Sequence, residues 1–357
     1  MIYHFLPKSI YTEQFLDFMC DDINAFYDSH LFLILSNNIN SKDNKYLDNK
    51  NIKNIFNFFS ILKVFLCLKK NDRIIIHSYS NPYLYLASVC CCWNLSKIAW
   101  VIWGGDLYFY NMKKKIKYKC YELFRKFSIK RFGYIVTYKS EYALAKQYYN
   151  VIGKNINFLY PMKFFDVPQK QSKIKNELFI LVGNSRSMSN EHIEVLNILS
   201  KFKDENIRIF VPLSYGDVPE GYVDAVDKVG MEFFGIKYVP IKTIMDLKAY
   251  QEFLSSIDIM VCNHKRQEAW GNLFTLLRSG KKVFVRKNTA TNIDFTSFGL
   301  KFSLTDDIID MSFDEFQFLN DDDRLNNQKL LIRMFSKSNL IAIWNNIFKT
   351  ITCPSAV

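Results

Sequence analysis

His77 closes the run RIIIHS, Asp106 follows KIAWVIWGG, and His264, Lys265 and Arg266 follow IDIMVCN. Each polar or charged group stands where a short apolar stretch gives way to a turn. Open α/β sheets place their ligands at such strand ends. His77 has the chemistry of a general base or of a hydrogen-bond donor to substrate; a lone histidine is also a common packing residue. Asn81 and Pro82 follow it and suit a helix start. Gly104 and Gly105 permit a sharp turn or a close backbone approach, and deliver Asp106 behind them. That carboxylate could take a proton from a hydroxyl, or it could cap the helix that follows. The residues alone leave both roles open.

The second half offers two more strand ends. In LVGNSRSMSNEHI, Gly183 allows a tight turn, Asn184 and Ser185 supply donors, and Ser187 or Ser189 can cap the next helix. Helix N-terminal amides attract anions, so this is a candidate pyrophosphate cradle, or an ordinary strand-to-helix turn. His192 falls in the first helical turn. In NHKRQEAWGNLF, His264, Lys265 and Arg266 put donors and cations at the start of a helix near Gly271. Gln267 and Glu268 have the chemistry to bind sugar hydroxyls or an amide. A solvated charged loop has the same composition.

The elements that must position these groups alternate along the chain. Strands are predicted at 31–36, 73–78, 97–103 and 132–138, with helices at 11–27, 52–69, 82–93, 111–130 and 140–149. A second series has strands at 178–185, 207–215, 236–241, 257–263 and 281–286. Helices are predicted among them at 190–202, 219–230, 244–255 and 270–279, and the tail 326–351 has helical periodicity. Such alternation argues for parallel sheets. The segment 160–177, with two prolines and several lysines, reads as a linker. The expectation is two Rossmann-like domains facing a cleft, over 1–165 and 175–340, with a C-terminal helix and tail over 341–357.

Composition narrows the partners. The chain has 357 residues and a net charge of +12. That excess suits nucleic acid, an anionic membrane or a phosphate-bearing substrate, or it reflects heavy lysine use throughout. From Lys113 to Arg131 there are nine basic residues and one acidic residue, interleaved with aromatics. Such a helix can lie on an anionic bilayer. No nucleic-acid module accompanies it, so nucleic acid is not the expected partner. The eight cysteines lack CxxC spacing, which argues against zinc or a disulfide framework and for buried thiols in a reducing compartment. The N-terminus lacks signal-peptide character, and the longest apolar stretch, 55–68, is too short to span a bilayer.

Several of these blocks together resemble a known family. They are His77 with Asn81-Pro82; Trp100, Trp103, Gly104, Asp106, Leu107 and Tyr108; ILVGNS with SNEHI; Tyr215 in VPLSYG; Tyr250 before Asp258; and Arg266-Gln267 with Gly271 and Leu273. In order and near-spacing they are similar to glycosyltransferase family 56, the 4-acetamido-4,6-dideoxygalactose transferases of enterobacterial common antigen synthesis. The resemblance covers about residues 70–285 well. It implies a GT-B fold, a dTDP-sugar donor and an undecaprenyl-diphosphate-linked saccharide acceptor. It also implies a peripheral location at the cytoplasmic face of the bacterial inner membrane, with no metal cofactor. Carried over, Asp106 and His77 are the catalytic candidates. Asn81, Trp103, Gly104 and Tyr108 fall on the acceptor side. Gly183, Asn184, Ser185, Glu191, His192, Tyr215, Arg266, Gln267 and Gly271 fall on the donor side. The chain departs from the family pattern at Gly105 and at Glu268-Ala269-Trp270, which leaves the sugar open. An O-antigen or capsule transferase using another nucleotide sugar, such as a UDP-sugar, is the alternative within the class. A non-catalytic protein binding polyanions or lipid headgroups is the alternative outside it.

Overall fold

The computed structural model describes residues 1–23, 29–36, 49–111, 116–162, 164, 177–216 and 218–353. Most of the predicted linker, the end of the predicted helix 11–27, and Lys113–Lys115 lie outside them. The chain divides into two compact units, Met1–Lys163 with Phe335–Val357, and Phe164–Met334.

The first unit is built on a parallel sheet. Its strands are β1 (Ile2–Pro7), β2 (His30–Leu35), β3 (Ile52–Ile55), β4 (Arg73–His77), β5 (Ile98–Val101), β6 (Tyr134–Val136) and β7 (Lys154–Ile156). The order is β3-β2-β1-β4-β5-β6-β7. Successive side chains leave a strand on opposite faces, so Phe5 and His4 enter different cores. Phe5, Ile74, Ile76 and Trp100 pack under α2 (Phe58–Leu66), α3 (Pro82–Cys90), α4 (Ile116–Ile129) and α5 (Lys139–Tyr149). His4 and His77 pack instead against Phe15 of α1 (Ile10–Asp21) and against Trp344 and Phe348 of the last helix, α13 (Lys337–Thr352). The Trp344 indole N–H donates to the Leu159 carbonyl at 3.0 Å, and Lys337 pairs with Asp22 at 2.6 Å.

The sequence reading missed β1, which is central in this sheet, and placed β3 inside a helix. The predicted helix 111–130 proves to be a 3-10 turn over Leu107–Asn111 and then α4 from Ile116.

The second unit repeats the plan with β8 (Leu178–Val182), β9 (Ile207–Pro212), β10 (Tyr238–Ile241), β11 (Ile259–Cys262), β12 (Lys282–Val285) and β13 (Ser303–Leu304), in the order β10-β9-β8-β11-β12-β13. Its helices are α6 (His192–Leu199), α7 (Tyr222–Phe234), α8 (Leu247–Ser256), α9 (Trp270–Arg278), α10 (Ala290–Phe298), α11 (Phe313–Gln317) and α12 (Asp321–Met334). The strand order reverses direction at β8 and β11, which makes their carboxyl ends the switch point of the sheet. The predicted tail helix is two helices, α12 and α13, separated at Phe335 and Ser336, where the Ser336 hydroxyl caps α13. All eight cysteines are free. Only Cys91 and Cys262 are buried, so the expectation of buried thiols fails for Cys67, Cys90, Cys92, Cys120 and Cys353, which are exposed.

Candidate active site

At the switch point of the second unit, two loops meet on one buried side chain. Asn190, fully buried between β8 and α6, accepts on Oδ1 from the Asn184 backbone N–H at 2.8 Å and bonds His264 Nε2 at 2.8 Å. Its amide donates to Ser185 Oγ at 3.3 Å, to the Ser187 carbonyl at 3.1 Å and to Glu268 at 3.4 Å. One asparagine thus ties the loop after β8 to the loop after β11. Gly183 is at φ +69°, and a Cβ there would lie 2.5 Å from Asn190 Oδ1 and 2.9 Å from His192 Nε2. The glycine is required by that packing as well as by its backbone angle. Sequence reading passed over Asn190. Its only signal was a short amide just before a helix, in a block already marked for its serines.

Around this hub the predicted donor-side residues are brought together. Ser189 donates to both Glu268 oxygens at 2.9 and 2.8 Å, and Arg266 is ion-paired with Glu268 and reaches Ser187 Oγ. Lys265 pairs with Glu191 at 2.8 Å. Asn184 Nδ2 donates to the hydroxyl of the exposed Tyr215 at 3.0 Å. Gly271 lies in the first turn of α9, and Gln267 is half-buried beside Arg266. His192 opens α6 and bonds the Tyr222 hydroxyl at 3.0 Å. Burial lowers His192 to a pKa of about 4 and His264 to about 3, so both rings are neutral at physiological pH. Among the described residues the buried Asn184 Oδ1 and Asn263 Nδ2 find no hydrogen-bond partner, one acceptor and one donor at the ends of neighbouring strands.

The first-unit strand ends are different. Asp106 is buried, and its carboxylate is fully engaged. Oδ2 accepts from Trp100 Nε1 at 2.6 Å and from the Tyr79 N–H at 2.8 Å, and Oδ1 accepts from the Trp103 N–H at 3.0 Å. Burial pushes its pKa up, opposed by these donors and by Arg125. Arg125, on α4, donates to the carbonyls of both Tyr79 and Asp106. The carboxylate expected to serve as a proton acceptor is thus held by donors from Trp100, Tyr79 and Trp103. It does not cap the next helix. The 3-10 turn opens on bonds from Leu107 and Tyr108 N–H to the Gly104 carbonyl, with Gly104 at φ 88°. Asp106 is the knot of the loop that presents Trp103 and the exposed Gly105.

His77, the other catalytic candidate, is likewise buried. It lies in a chain of buried groups, bonded through Nε2 to His4 at 3.1 Å and through Nδ1 to the Tyr160 hydroxyl at 3.2 Å. His4 in turn bonds His30 at 2.8 Å. Burial lowers His77 to a pKa of about 3. On the acceptor-side group, Asn81 caps α3 by accepting from the Tyr83 N–H at 2.8 Å, Tyr108 is buried, and the half-buried Trp103 packs edge-on to Tyr11 and Tyr160.

Two doubly wound parallel sheets, one carrying a polar hub at its switch point, have the architecture of the GT-B fold. A glycosyltransferase from Rickettsia africae is similar over 99% of both chains, at 14% identity and a TM-score of 0.65. An Escherichia coli structure described as trehalose-6-phosphate bound with UDP-2-fluoro glucose is similar over 99% of both chains, at 8% identity and a TM-score of 0.67. A UDP-forming alpha,alpha-trehalose-phosphate synthase from Burkholderia vietnamiensis has a TM-score of 0.64 at 8% identity, covering 99% of this chain and 97% of its own. At these identities the likeness is one of fold. Residues 2–350 match glycosyl transferase group 56, described as 4-alpha-L-fucosyltransferase, and the chain belongs to that family.

Proposed function

We propose that the protein transfers a 4-acetamido-4,6-dideoxygalactose-like sugar from a dTDP-sugar to an undecaprenyl-diphosphate-linked saccharide. The reading places it peripherally at the cytoplasmic face of the bacterial inner membrane, with residues 113–131 toward an anionic surface. The family description supports a 6-deoxyhexose donor, since a fucosyl group is a 6-deoxygalactose. The observation that carries the donor side is the Asn190 hub. It holds two strand-to-helix loops together at the switch point, so that the N-terminal amides of α6 and α9 and the Arg266 guanidinium form one anion-binding edge.

In the reaction an acceptor hydroxyl oxygen attacks the anomeric carbon, and the bond from that carbon to the diphosphate breaks. The hydroxyl proton leaves to a base, and the nucleoside diphosphate departs with the extra charge. Backbone amides and a guanidinium aimed at that oxygen lower the barrier because they are in place before the charge develops. Arg266 is already neutralised by Glu268. A diphosphate therefore competes with a carboxylate for the guanidinium, and ordering of the donor is coupled to release of Glu268.

A thermal-shift panel of dTDP- and UDP-sugars tests the reading. A donor at one hundred times its Kd stabilises the protein by about 2.7 kcal/mol. Arg266→Ala should weaken that donor about ten- to one-hundredfold while the unliganded melting temperature stays close to wild type. No shift with any nucleotide sugar would sink the proposal, and a shift with UDP-sugars alone would reassign the donor.

A further inference from the structure

We infer that α2, α3 and α4 together form a membrane-contact layer for an anionic lipid bilayer, engaging all three helices rather than α4 alone. The inference deepens the proposed reading, in which the acceptor is carried by a bilayer, but every observation behind it lies in the first unit.

α2 packs on α3 and α3 on α4, and their inner sides bury Ile61, Phe65, Leu84 and Ile129 against the sheet. Their outer sides mix lysines with large apolar groups. Phe59 is 78% exposed, Leu66 56%, Ile116 81% and Leu123 68%, and Trp93, in the 3-10 turn that follows α3, is 64% exposed. One exposed leucine is ordinary, but five large apolar groups over one helical layer are not.

Charge on the same layer has one sign. Between Phe58 and Arg131 the acidic residues are Asp72, Asp106 and Glu122, and all three are buried. Lys63, Lys69, Lys70, Lys119, Lys126 and Lys130 are exposed. α1, which covers the other face of the sheet, exposes Glu13 and Asp21. An acidic protein or a nucleic acid would match the lysines and leave Phe59, Trp93 and Leu123 in water. A bilayer matches both, with rings and aliphatic groups at the headgroup boundary and ammonium groups on phosphates. Among the described residues no helix is long and apolar enough to cross a membrane, so the contact is interfacial.

The native thiols supply a readout. Cys67, Cys90, Cys92 and Cys120 are exposed on or at the ends of these helices, while the exposed Cys353 ends α13 on the other face. The full chain is labelled with a water-soluble maleimide, with and without vesicles of equimolar phosphatidylglycerol and phosphatidylethanolamine, and with phosphatidylcholine vesicles as the neutral control. The anionic vesicles should slow labelling at all four thiols and leave Cys353 unchanged. Phe59→Ser combined with Trp93→Ser should lower vesicle partitioning by about tenfold or more at an unchanged melting temperature. Each of Lys126→Glu and Lys130→Glu should lower it at least about fivefold.

Protection confined to Cys120 would place the contact on α4 alone and overturn the proposal. Vesicle binding unaffected by the serine substitutions and abolished by salt would reduce the contact to electrostatic adsorption and overturn it as well. Protection that rises with protein concentration in the absence of vesicles would assign the face to a second copy of the chain. The nucleotide-sugar thermal shift, measured on the same samples, reports the donor reading separately from each of these outcomes.

Discussion

Replacing Asp106 with asparagine keeps the size of the side chain but turns one acceptor oxygen into a donor. That donor would face the Trp100 indole N–H and a backbone N–H, or the Trp103 N–H. The substitution should destabilise the first unit by about 2–4 kcal/mol, because buried donors lose their partner. Urea denaturation alongside turnover measures it, and lost turnover at wild-type stability would assign the carboxylate a chemical role. Asn190→Ala should cost a similar amount and abolish the donor-induced thermal shift, since it frees both loops at once. The glycines and the carboxylate were legible in the sequence, as were the serines and the arginine of the donor side. Their partners were not. Nothing in residue spacing says that an indole six positions upstream turns back onto Asp106, or that Asn190 reaches a loop 78 residues away at Glu268.

At the scale of elements, the outcome follows how much of each strand or helix is covered. Strands built on uninterrupted apolar runs, such as β5, β11 and the Ile74–Ile76 stretch of β4, were readable because burial on both faces leaves nothing polar in those runs. β1 was not, since His4 and Pro7 interrupt its run, yet His4 is buried in an aromatic and imidazole core. The periodicity of α13 was visible, but its docking site was not. Trp344 bonds Leu159 from 185 residues away, a separation that no local pattern encodes. Trp344→Ala should cost about 3–5 kcal/mol, as expected for emptying the space of a fully buried indole. A denaturation midpoint unchanged by that substitution would show that α13 contributes little to the first unit.

Across the whole molecule, all five histidines, His4, His30, His77, His192 and His264, are buried. Burial lowers every one, His30 to about 4, His77 to about 3 and His4 well below its ordinary value, with neighbouring imidazoles adding to the shift of His4. Folded values below the unfolded value near 6.5 mean that the unfolded chain binds more protons. Histidine-linked stability is therefore complete above about pH 6.5 and is lost as pH falls toward 3 to 4. Each histidine that stays neutral steepens the loss by about 1.4 kcal/mol per pH unit within that window. Chemical denaturation at pH 7.5, 6 and 5 should show a falling midpoint, and a flat profile would contradict neutral burial. The alternation of strands and helices made two parallel sheets legible from the sequence. The strand orders were not, because which strands pair depends on crossover direction rather than on composition.

The return of α13 to the first unit also sets a schedule for synthesis. A domain that emerges first from the ribosome ordinarily folds first. Here the face of β1 bearing His4, with Phe15 and Phe32, keeps its cover in the last helix, and the whole second unit is translated in between. At roughly 5–20 residues per second, that interval is on the order of ten to forty seconds. During it the nascent chain carries an open aromatic surface that a chaperone can recognise, and the first unit is completed only after the second has been translated.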